Sequence, residues 1–351
     1  ITDAAGNSAT LTLATPGAAN SLANNKALVI DTTASTVTNV TSSTNDGSYK
    51  AGQAVSIQVV FDETMTVTGT PQIQLESGDT DRQVDYASGT GSNTLTFTYT
   101  VQATDTSSDL DYKATTSLAL NGGTIKDTAG NAATLTLVAP GASGSLADSS
   151  ALVIDTTAST VTNVTSSTTN GSYKAGQAVS IQVVFDEAVT VSGTPQIQLE
   201  SGATDRQVDY ASGSGSNTLT FTYTVQATDT SSDLDYKATN SLALNGGTIV
   251  DAAGNTATLT LAAPGAANSL ANNKALVIDT TAPTVTNVTS TTDNATKMLG
   301  DTVAVTVKFS EVMTVTGTPQ IQLETGASDR QVDYSSGTGS DTLTFTYTVQ
   351  A

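Results

Sequence analysis

The sequence predicts an all-β chain of tandem β-sandwich modules, arranged as beads on a string. Three observations predict it. First, the chain repeats at a fixed interval: VIDTTASTVTNVTSST begins at Val29 and again at Val153, and VIDTTAPTVTNVTSTT begins at Val277, each 124 residues after the last. A fixed period governs the whole fold, and one of this length is the size of a small domain with its own core. Second, short apolar runs within each period alternate with polar residues at a spacing of two, as half-buried strands do. Third, no segment carries the apolar stripe of an amphipathic helix.

The period divides the chain unevenly. Residues 32–155 and 156–279 are complete repeats; residues 1–31 match the C-terminal part of a repeat and residues 280–351 the N-terminal part. This phase reads as a window within a longer array. The alternative is that the front piece of one copy is completed by the tail piece of another through strand addition.

The elements of one repeat follow in order. Thr36–Thr41 alternates around Val37 and Val40, and Asn45–Gly52 is a turn-rich loop. In Ala54–Phe61, Val55, Ile57 and Val59 share one face, and Asp62 and Glu63 mark the end of the strand. Gln72–Glu76 points Ile73 and Leu75 inward, and Asp81–Ala87 pairs back on it through a turn at Ser77–Gly78. Thr94–Gln102 is the cleanest strand: Leu95, Phe97, Tyr99 and Val101 face one way, and four threonines face the other. Leu118–Leu120, Thr134–Leu137 and Ala151–Ile154 complete the unit. Short strands of this kind, separated by Gly, Asn and Asp turns, form a β-sandwich. The threonine rows read as the solvated face of a sheet, which β-branched residues suit.

Composition narrows the function. The net charge of −20 argues against nucleic-acid binding, which needs clustered Lys and Arg, and equally against anionic membrane surfaces. No apolar run is long enough to insert in a membrane. With no Cys, no disulfide staples the modules, so the junctions need another stiffener. With no His or Cys, most nucleophile–base pairs are missing, and the chain is not expected to be an enzyme. Asp62 and Glu63 are strand neighbours facing opposite ways, and the third copy has Ser310 in place of Asp62.

The remaining chemistry is that of Ca2+, which takes oxygen ligands from Asp, Glu, Asn and backbone carbonyls. Three acidic features recur: the linker aspartates Asp31, Asp155 and Asp279; the strand glutamates Glu63, Glu187 and Glu311; and the D-x-A-G-N loops that begin at Asp3, Asp127 and Asp251. Strand polarity brings Asp155, Glu187 and Asp251 to one pole of the second full repeat. The opposite pole carries ATDTSSDLDY, where Asp109 and Asp111, or Asp233 and Asp235, are two residues apart and share a strand face. That pole abuts the next linker, so Asp105, Asp109 or Asp111 is expected to join Asp155 and Glu187. Arg82, Arg206 and Arg330 are expected to pair with neighbouring carboxylates, and Tyr49 and Tyr173 to pack.

The linker VIDTTAPTV, the phrase VTGTPQIQLE, the loop LNGGTIxDxAGN and the strand TLTFTYTVQ together resemble bacterial immunoglobulin-like (Ig-like) repeats of very large secreted adhesins and surface proteins, with cadherin-like organisation. The resemblance covers essentially the whole chain. It implies tandem Ig-like sandwiches, display at the bacterial cell surface, and calcium at the junctions. The ligands implied are Asp155, Glu187 and Asp251, with Asp31, Glu63 and Asp127 at the preceding junction. The first two linkers depart from the pattern, with Ser35 and Ser159 where the third has Pro283. Two functional classes follow. One is a spacer or filament module whose partners are its neighbouring repeats. The other is a binding module for glycan, ice or a partner cell. A sheath or surface-layer subunit, packing sideways or end-to-end against its own copies, is a third.

Overall fold

The computed structural model describes all 351 residues, and it is all-β, with several curled, mainly antiparallel sheets. The first full repeat contains β1 (Val37–Ser42), β2 (Gly47–Tyr49), β3 (Ala54–Thr68), β4 (Gln72–Glu76), β5 (Arg82–Ser88), β6 (Ser92–Thr100), β7 (Thr106–Ser107), β8 (Asp111–Tyr112), β9 (Leu118–Ala119), β10 (Thr124–Asp127) and β11 (Leu152–Asp155). The main sheet runs β1-β3-β6-β5-β4-β8, with β10 added to β3 and β9 to β4. A second sheet runs β2-β11-β7, in which β2 and β11 are parallel. The second full repeat reproduces this plan strand for strand from Val161 to Asp279.

β3 positions the site. It does not end at Phe61 but continues to Thr68, because the inward–outward alternation survives two acidic residues: Phe61 and Met65 are buried, Glu63 between them is half-buried, and Asp62 is exposed. Val60 pairs with Thr94 whereas Met65 pairs with Ser92, so β3 carries extra residues against β6. A bulge of this kind bends a strand; past it, β3 leaves β6 and pairs with β10 through Met65–Thr68. Asp62 is held outside, accepting from the Thr36 amide and hydroxyl, both at 2.8 Å. Glu63 is thereby left on the inner side of the bend.

Each full repeat has its own core. Val55, Ile57, Val59 and Phe61 on β3 meet Leu95, Phe97 and Tyr99 on β6, all nearly inaccessible, and the equivalent residues form a separate cluster in the second repeat. Burying each such side chain contributes about 1.5–3 kcal/mol. Tyr86 meets Phe97 edge-on at 6.0 Å. Some local features differ from expectation. Thr134–Leu137 forms no strand; Thr134 makes one bridge to Thr36, and Leu137 is buried without a ladder. The Asn45–Gly52 loop contains β2, and Leu146–Ser149 forms a one-turn helix capped by Ser145.

Residues 1–31 and 280–351 expose positions that the full repeats bury. Leu13 is 89% exposed, whereas its equivalent Leu137 is 2% exposed. Val288 is 54% exposed, whereas Val164 is fully covered. No helix is long and apolar enough to cross a membrane.

Candidate metal centre

Three chain segments converge where one full repeat meets the next. The strand Leu276–Asp279 and its equivalent β11 each end in the linker aspartate; at β11, pairing of Asp155 with Thr106 holds that residue in place. Asp155 then turns the chain, its Oδ1 accepting the Thr157 amide at 3.0 Å. Glu187 stands in the bend of the strand Ala178–Ser192. Asp251 opens the loop after Thr248–Val250 and is 3% exposed.

That loop is built by its own asparagine. Asp251 Oδ1 accepts the Asn255 amide and Oδ2 accepts Asn255 Nδ2, both at 2.9 Å. Asn255 Nδ2 also reaches the carbonyls of Asp155 at 3.0 Å and Thr157 at 3.3 Å, tying the loop to the linker. Gly254, at φ +88°, takes the left-handed conformation that lets the loop close. One carboxylate oxygen from each of Asp155, Glu187 and Asp251 lies within 4.8 Å of the others. Asp31, Glu63 and Asp127 repeat the arrangement, with Asn131 in the stapling role.

The electrostatics are those of an uncompensated cluster. None of the ion pairs in the structure involves any of the six acids. Burial, then the charges of Asp155, Asp251 and Asp186, raises the Glu187 carboxyl above the ordinary glutamate range. Glu63 is raised in the same way by burial, Asp31, Asp127 and Asp62. Burial pushes Asp127 upward too, but hydrogen bonds from the Asn131 side chain and from loop amides outweigh it and leave Asp127 low. Three hard oxygen donors with no sulfur or nitrogen fit Ca2+ or a similar hard cation. Both groups could hold a metal ion.

The other expected acids are placed elsewhere. Asp279 caps the Thr281 amide and Glu311 is half-buried on the strand Thr302–Met313, but residues 280–351 do not include the loop aspartate that completes the set. Asp109 and Asp111 do not share a face: β8 begins at Asp111, and Asp109 lies outside it, exposed. Asp111 is buried and accepts from the amides of Tyr112 and Gly141 at 2.8 and 2.9 Å. Asp235 does the same with Tyr236 and Gly265, while the exposed Asp233 accepts from the Leu276 amide. Asp111, Asp233 and Asp235 thus accept from amides of their own repeat, and none of the four belongs to either group with the linker acids.

Asp105 is likewise engaged. It is 1% exposed and accepts from Arg82 Nε at 2.8 Å, Tyr99 hydroxyl at 2.5 Å and the Gln102 amide at 2.9 Å. Only its backbone carbonyl touches the linker, accepting from Thr156 Oγ1 at 2.9 Å. Arg82 thus has the carboxylate partner expected of it. The stapling role of Asn131 and Asn255 was missed by sequence reasoning, although the N of D-x-A-G-N was its signal. No protein family matches the chain, and no curated protein matches it.

Proposed function

We propose that the chain is a run of Ig-like spacer modules from a long bacterial surface or secreted adhesin, stiffened by Ca2+ where one repeat meets the next. The observation that carries the reading is the convergence of a linker, a strand and a loop carboxylate at each of two equivalent junctions. Each acid comes from a different part of the repeat, so a cation held by all three would tie the linker to the module it enters. It would also offset the burial and then the like-charge repulsion that raise Glu187. The near-identity of the full repeats favours a spacer over a binding module, in which one specialised unit would stand apart. The lack of His and Cys supports a non-enzymatic role.

The test is thermal melting and small-angle scattering of the chain in EDTA and in millimolar Ca2+. The reading expects a higher melting temperature and a longer, stiffer particle with Ca2+. Identical curves in both conditions would overturn it.

A further inference from the structure

One contact at the junction between the full repeats belongs to neither the linker nor the acidic cluster. Lys50, in the turn after β2, extends its Nζ to the carbonyl of Gly254 in the second repeat, at 2.6 Å. The donor stands on a fixed turn: the Lys50 amide donates to Gln53 Oε1 at 2.8 Å, and the Gly52 amide to the Val101 carbonyl at 2.9 Å. The acceptor lies in the loop closed by Asp251 and Asn255. An ammonium donating to a carbonyl is a charge-assisted hydrogen bond, stronger than a neutral one.

Comparison of equivalent residues shows that the contact is a face and not a single side chain. Lys50 is half-buried, whereas its equivalent Lys174 is exposed. Ala253 is 7% exposed and Gly254 half-buried, whereas Ala129 and Gly130 are exposed. A Cβ placed on Gly254 would meet Lys50 Nζ at 3.5 Å and its Cε at 3.9 Å; one placed on Gly130 would meet nothing within 4 Å. The same residues are therefore covered only where turn and loop from successive full repeats face each other.

We infer that the turn at Lys50 and the loop at Gly254 form a latch between consecutive repeats, which sets their relative angle without a cation. The latch does not rest on the calcium reading, since its donor is a side chain of the preceding repeat. Its donor is also not universal. The third repeat has Lys297-Met298-Leu299-Gly300 where the first has Tyr49-Lys50-Ala51-Gly52, so the residue equivalent to Lys50 is Met298, which cannot donate. The chain thus encodes turns with and without the donor.

The absence of cysteine makes the test direct. Exposed Ala87 and Ala211 are replaced by cysteine in the full chain and spin-labelled, and the distance distribution between the repeats is measured by pulsed EPR in EDTA. Lys50→Met is expected to raise the ratio of open to latched junctions about fivefold to tenfold, broadening the distribution. Lys50→Arg is expected to keep it narrow, and Lys174→Met to leave it unchanged. Circular dichroism of each variant checks that the repeats remain folded. An unaltered distribution in folded Lys50→Met, or equal broadening by Lys174→Met, would overturn the latch. A latch that fails this test leaves the calcium reading standing, because no cation is present in it.

Discussion

Replacing Asp229 with alanine removes the acceptor around which one corner of the second repeat is built. Asp229 is 1% exposed and receives Arg206 Nε and Nη2, each at 2.7 Å, the Tyr223 hydroxyl at 2.5 Å and the Gln226 amide at 2.9 Å. Burial alone would raise its carboxyl, but these donors outweigh it and hold the carboxyl below the ordinary aspartate range. In the variant the Tyr223 hydroxyl, on a side chain that is 2% exposed, loses its acceptor at a cost of about 1–3 kcal/mol. Arg206 is 27% exposed and turns to water, so its loss is discounted from the full value of a broken buried pair. With about 1 kcal/mol each for the Arg206 pair and the Gln226 amide, the sum is about 3–5 kcal/mol, equivalent to a fall of about 12–20 °C in a repeat of this size. Calorimetry of the full chain has an internal control, since the first repeat keeps the same corner around Asp105. The transition of the second repeat is expected to move and that of the first to stay. A shift below about 4 °C, or an equal fall in both transitions, would mean that Asp229 does not hold this corner together.

Three other outcomes follow from the same geometry. Gly213→Ala should cost more than about 2 kcal/mol by melting, because φ is +112° and the new Cβ falls 2.1 Å from the Thr218 carbonyl oxygen, whereas Gly215→Ala meets no atom within 4 Å and should cost about 1 kcal/mol. Glu187→Gln removes one of three like charges, so cation-free stability, read by melting, should rise by about 1 kcal/mol while the response of that junction to Ca2+ is lost. The cation-free second repeat should also pass through a stability maximum on acidification. Glu187 is raised in the fold, so its contribution is full below its unfolded value and is lost as pH rises through the folded value; Asp186 and Asp229 are lowered, so theirs is lost as pH falls through their folded values. Melting temperatures that only fall on acidification from neutral pH would contradict this.

How far the site could be read from sequence depended on the range of each interaction. β6 was legible because Leu95, Phe97 and Tyr99, with Val101 just beyond the strand, alternate without interruption and all are buried. The meeting of Asp155, Glu187 and Asp251 followed from strand polarity, which needs only the order of strands and not their lengths. The second half of β3 was hidden because Asp62 and Glu63 interrupt the apolar alternation, although the backbone continues as a strand through them. Asp109 and Asp111 were misplaced together because a two-residue strand such as β8 leaves no periodicity to fix its start. Asp105 was drawn toward the junction because it is acidic and near the linker, but Arg82 and Tyr99 had already engaged it. The contact of Lys50 with Gly254 crosses 204 residues and has no local signature.

Calcium titration of the cation-free full chain, by calorimetry or equilibrium dialysis, measures whether a cation sits at each equivalent junction. The two acid groups predict two saturable sites with affinities of about 10⁻⁴–10⁻³ M or tighter, falling to one in Glu187→Gln and to none when Glu63→Gln is added. No saturable binding in the millimolar range, or two sites persisting in the double variant, would contradict it.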